Sequence, residues 1–145
     1  AKKDVLQTMI RRTILAASND SSRYHINGVF VQTLERTLVR MVGTDGHRLA
    51  YLDQELFLNE SPLKRGMIIP KKAVLELQKL LDDAPEEIGI AVDDGYCFLK
   101  LGEAYLFIRT IVAEYPNYQA VVPKENNLVA IVSRNAFYSA LKRVS

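Results

Sequence analysis

The five residues Thr44-Asp45-Gly46-His47-Arg48 gather most of the reactive chemistry of this chain into one short stretch. A carboxylate, an imidazole and a guanidinium within four positions admit two uses. They could serve a small α+β hydrolytic or metal-dependent enzyme built on Asp45, His47 and Arg48. Alternatively, they could fix a ligand through polar donors set beside the apolar run Leu49-Ala50-Tyr51-Leu52. The enzymatic use is poorly supported. A metal would have to recruit His25, Asp93 or Asp94, and histidines separated by a strand or more match no familiar ligand spacing. Asp93-Asp94-Gly95 is better explained as a turn. The chain has no P-loop, Gly-rich dinucleotide turn, nucleophile elbow or zincin helix, and Ser133 and Ser145 have no histidine near them in sequence. Neither a catalytic residue, a metal nor a cofactor is expected.

The elements that position this stretch follow from periodicity. Asp45-Gly46 between two apolar-rich runs is a strong hairpin signal, because Gly accepts the positive φ of a tight turn. Strands are predicted near 23–33, 36–44 and 47–57. A helix is predicted at 4–18, with Leu6, Ile10, Thr13, Ile14 and Ala17 on one face and Asp4, Gln7, Thr8 and Arg11 opposite. After a loop at Asn59-Glu60-Ser61-Pro62, the strand Met67-Ile68-Ile69 leads through Pro70 into a helix at 71–82. That helix turns Ala73, Val74, Leu77, Leu80 and Leu81 inward and Lys72, Glu76 and Lys79 outward, with Lys72–Glu76 as an i,i+4 pair. Strands near 87–92, 95–101 and 104–113 complete the unit. The repeat is β-α-β-β-β, and it opens once more with a strand at 128–132 and a helix at 133–143 capped by Ser133. The fold class is α+β, with antiparallel sheets on one side and the helices on the other. The first unit lacks an opening strand, so 128–132 is a candidate to cover the vacant edge.

At 145 residues, with 48% hydrophobic and 25% charged residues, the chain suits one compact core. No apolar run is long enough to cross a bilayer and no secretory leader is evident, so a cytoplasmic location is expected. The lone Cys97 lies in an apolar run and is expected to be a buried, inert thiol. A net charge of +2 is too small to signal nucleic-acid binding by amount alone.

Four segments in order resemble the bacterial sliding clamp, the beta subunit of DNA polymerase III. They are Arg23-Tyr24-His25-Ile26-Asn27-Gly28, Thr44-Asp45-Gly46-His47-Arg48-Leu49-Ala50, Ile69-Pro70-Lys71-Lys72 and Tyr115-Pro116-Asn117-Tyr118. The resemblance implies a clamp middle domain over 1–122, followed at 123–145 by a linker and the first strand and helix of the third domain. It implies a non-catalytic processivity factor whose helices face sequence-independent duplex DNA. Arg11, Arg12, Arg23, Tyr24, His25, Lys71, Lys72, Lys79 and Arg134 become DNA-facing candidates. It also implies a groove for a Gln-Leu-x-Leu-Phe-like motif of DNA polymerase, clamp loader and repair proteins. The matching positions are Ile26, Thr44, Gly46, His47, Arg48, Leu49, Pro116 and Val121. Ala120 departs from those family members that carry arginine there, and the far wall of the groove would belong to the third domain. The full-length family protein is a ring-shaped homodimer; this chain by itself is expected to be a monomer.

Overall fold

The computed structural model describes residues 1–35, 37–56, 66–93, 95–123, 125 and 128–144. The expected loop 59–62, Asp94 and Ser145 lie outside the described residues. Helix α1 (Lys3–Thr13) buries Leu6, Met9, Ile10 and Thr13 along one face. Each large apolar side chain so buried contributes about 1.5–3 kcal/mol. The buried Thr13 hydroxyl is satisfied by donating to the Met9 carbonyl at 2.8 Å. The helix then tightens into a 3-10 turn at Ile14–Ala16.

Three strands follow, β1 (Gly28–Thr33), β2 (Leu38–Thr44) and β3 (Leu49–Glu55). Then come β4 (Met67–Pro70) and α2 (Lys71–Asp82), with Pro70 just ahead of the helix as expected. The Lys71 N–H, free of any intrahelical partner, donates to the Asn27 carbonyl at 3.1 Å. Strands β5 (Gly89–Asp93), β6 (Tyr96–Leu101) and β7 (Ala104–Arg109) close the second unit. The sheets are antiparallel, in the orders β3-β2-β1-β4 and β5-β6-β7. A helix followed by three antiparallel strands thus occurs twice, as the sequence implies. Helices α1 and α2 lie side by side, with Gln7 Nε2 donating to Asp82 Oδ1 at 3.2 Å. The main core joins both helices to both sheets, including Cys97, Leu99 and Ile108 from the second. A smaller cluster gathers Ile26, Val42, Ile68, Tyr115 and Tyr118, with Phe30 stacked on Tyr115 at 4.7 Å.

Several local expectations are corrected. Residues Tyr24–Ile26 form a 3-10 turn and not the start of a strand. The turn is held by Asn27, whose Nδ2 donates to the Ser18 carbonyl at 3.2 Å, and it swings Ile26 into the core. The third strand of the second unit stops at Arg109, because the Ile111 N–H crosses to the Ile68 carbonyl at 2.9 Å. Leu80 is exposed, and Glu76 pairs with Lys79 at 3.0 Å and not with Lys72.

Residues 128–132 form no strand, and Leu128 and Ile131 are almost fully exposed. They do not cover the edge preceding β5. Those backbone groups are already engaged: Lys3 N–H donates to the Glu86 carbonyl and Ile88 N–H to the Ala1 carbonyl, each at 2.8 Å. Ser133 does cap α3 (Arg134–Val144), its Oγ accepting from the Ala136 N–H at 3.5 Å. None of the α3 side chains is buried.

Candidate functional site

The hairpin tip is a small hydrogen-bonded assembly organised by its own side chains. Thr44 pairs with Leu49, so the connection is the four residues Asp45–Arg48, with Gly46 at a φ of 91°. Asp45 Oδ1 accepts from the N–H groups of His47 (2.9 Å) and Arg48 (3.0 Å), and Oδ2 accepts from Arg48 Nε at 3.0 Å. The two backbone donors, together with the Arg48 side chain, hold the Asp45 carboxyl down at about 2. The Thr44 hydroxyl donates to the Arg48 carbonyl at 2.8 Å and accepts from the Gly46 N–H at 3.1 Å. From 22 positions upstream, the Arg23 guanidinium donates to the Asp45 carbonyl at 2.6 Å. A carboxylate so fully engaged, and acidic well below the usual range, is a turn organiser and a poor general base. Among the described residues, no group of three His, Cys, Asp or Glu side chains could hold a metal ion.

Below the tip an open groove of about 670 Å³ runs between α1, β3 and the segment after Tyr118. Leu15, Leu49, Tyr51 and Val121 supply apolar wall, with Arg11 and Arg12 at its border. Arg40 braces one side. It makes two 2.6 Å bonds to the Asp53 carboxylate, and its guanidinium lies 4.6 Å from the Tyr51 ring centroid. The same guanidinium lies 6.0 Å from the centroid of the Tyr118 ring, whose hydroxyl accepts from Gln32 Nε2 at 3.0 Å.

Of the residues expected to bind a peptide, Leu49 and Val121 come together in this groove. Ile26 is buried behind Leu49 in the smaller cluster, and Thr44 is buried beneath the tip. Gly46, His47 and Arg48 stand exposed at the tip, and Pro116 is exposed just ahead of the turn at Tyr118–Ala120. The DNA-facing candidates divide differently. Lys72, Lys79, Tyr24 and Arg134 are exposed, and His25 is half-buried with its ring edge-on to Tyr24. Arg23 is committed to the Asp45 carbonyl. Lys71 Nζ donates to the Ala17 carbonyl at 2.6 Å, and desolvation there lowers its pKa. The cleft between the helices mixes signs, with Asp4 and Asp82 lining it alongside Arg11.

Sequence reasoning placed Tyr51 in the apolar run beside the tip but missed Leu15 and the placing of Arg11 and Arg12 in the groove. Leu15 carries the one available signal: it is apolar yet lies off the helix face formed by Leu6, Ile10, Thr13 and Ile14.

Two α-β-β-β units with side-by-side helices and paired antiparallel sheets define a domain of the DNA-clamp type. A model of the DNA polymerase III beta subunit central domain matches residues 1–117, and the chain belongs to this family of bacterial sliding clamps. The beta sliding clamp of Caulobacter vibrioides is 31% identical over 94% of this chain, which spans 37% of that relative's length. The crystal structure of the Pseudomonas aeruginosa DNA polymerase III beta subunit superposes with a TM-score of 0.89 at 26% identity, over 99% of this chain and 38% of that one. A Bartonella birtlesii sliding clamp, seen bound to griselimycin, gives 0.86 at 32% identity, over 99% of this chain and 39% of that one.

Proposed function

We propose that this chain acts within a bacterial DNA sliding clamp, a non-catalytic, cytoplasmic ring that holds polymerase on duplex DNA. Residues 1–122 serve as its central domain and 123–145 as the linker and opening of the next. The observation that carries this reading is the clamp-type pair of α-β-β-β units, matched by the family model over 1–117. The helix side faces the duplex, where Lys72, Lys79, Tyr24, His25 and Arg134 offer backbone contacts without reading bases. The groove at Leu49 and Val121 receives the apolar side chains of a Gln-Leu-x-Leu-Phe-like segment from polymerase, clamp loader or repair proteins. Gly46, His47 and Arg48 steer that segment's backbone from the tip, Thr44 holds the tip in shape from beneath, and Ile26 and Pro116 support the wall.

The DNA half of the proposal is tested by fluorescence anisotropy with two short duplexes of unrelated sequence over a salt series. Weak binding, equal for both and lost as salt rises, is the expected result. Replacing Lys72 and Lys79 by Gln should reduce the salt slope by about one per phosphate contact removed. Discrimination between the duplexes, or binding indifferent to salt, would contradict it.

A further inference from the structure

We infer that the groove selects apolar peptides carrying acidic residues beside their anchors, and that Arg11 and Arg12 make the selection. This rests on the reading of the groove as a peptide site. Both arginines stand exposed in the last turn of α1, and among the described residues neither makes an ion pair. Arg23, Arg40 and Arg48, by contrast, are each held by an aspartate. Two unpaired guanidiniums therefore border the wall formed by Leu15, Leu49, Tyr51 and Val121. Leu15 is 57% exposed and Val121 is 69% exposed, so the wall itself is open to an apolar ligand.

Such a surface pairs two demands. The apolar wall needs side chains that leave water, and the guanidinium forks are shaped for carboxylates. A linear peptide with both features meets them together, whereas a duplex backbone satisfies only the second. Position at the C-terminal turn of α1 also lets the two cations oppose the helix dipole. That role stabilises the helix but predicts no preference among peptides, so ligand selectivity separates the two roles.

The test uses the whole chain and three labelled peptides sharing Gln-Leu-x-Leu-Phe, flanked by Glu, Ser or Lys and followed by anisotropy. The Glu-flanked peptide should bind roughly three- to tenfold more tightly than the Ser-flanked one at low salt, the range given by one or two exposed ion pairs. The Lys-flanked peptide should be weakest, and added salt should compress the series. In the Arg11→Gln/Arg12→Gln variant the ratio of Glu- to Ser-flanked affinity should fall to about one. Circular dichroism checks that the variant is folded, and the three-peptide series on the unaltered chain stands without it. Equal binding of all three peptides would overturn the inference while leaving the groove reading intact. So would an undiminished preference in the variant, or a loss confined to duplex DNA. If none of the peptides bound the folded chain, the groove reading itself would fail and this inference with it.

Discussion

At the residue scale the tip is governed by Asp45. Its carboxylate closes the turn through two backbone N–H groups and the Arg48 side chain, and so it titrates at about 2 instead of near 3.8. A carboxyl group with a lowered folded pKa adds stability above its unfolded pKa and loses that contribution as pH falls through the folded value. Asp45→Asn keeps the shape and removes the charge. The gap in urea midpoint between the native chain and this variant should therefore be constant above about pH 5 and shrink towards pH 2. A gap that persisted undiminished across that interval would contradict the account. The turn at Asp45-Gly46 was legible in the sequence because it is local, but the bonds from the Asp45 and Thr44 side chains that organise it were not read there. Nor was the bond from Arg23, since nothing local links a guanidinium to a carbonyl 22 positions away. The same holds for Lys71 and the Ala17 carbonyl, 54 positions apart.

At the element scale the α1–β2 contact is the tightest constraint on the site. A Cβ added at Gly43 would overlap the Thr13 carbonyl oxygen and crowd the Ala17 nitrogen, both backbone atoms that cannot step aside. Ser18 N–H donates to the Thr44 carbonyl at 3.2 Å across the same junction. Gly43→Ala must therefore push the end of α1 away from β2, at a cost of about 1–3 kcal/mol. Chemical denaturation should show that loss with an unchanged slope; a variant as stable as the parent would mean that the helix end yields freely. Elements with a clear period, such as α1 and α2, were legible because one face must be apolar to be buried. Residues 23–27 and 128–132 were not, for opposite reasons. The first have strand-like composition, but the side-chain bond from Asn27 to Ser18 supports a turn. The second have strand composition, but composition cannot show that Ala1 and Lys3 already bond to Ile88 and Glu86 just ahead of β5.

At the scale of the whole molecule, the two α-β-β-β units share one core, and the smaller cluster around Tyr115 and Tyr118 ties the later segment to β2 and β4. Burial raises the Tyr115 hydroxyl pKa well above its usual value, and that hydroxyl donates to the Val42 carbonyl at 3.4 Å. Through this anchor the segment 115–123 is laid against β3, and Val121 is brought to Leu49. The motifs Thr44–Ala50 and Tyr115–Tyr118 were legible as separate strings. The resemblance already implied one groove for Leu49 and Val121; that Arg11, Arg12 and Leu15 are their neighbours is a property of packing that no single string contains.

The proposed peptide role of this groove is open to an amide NMR titration with a Gln-Leu-x-Leu-Phe peptide against a scrambled control. Saturable shifts confined to residues 11–15, 44–51 and 116–123, and absent with the control, are the expected result. A well-dispersed spectrum in which those amides stay still, or move equally with the scrambled peptide, would contradict it.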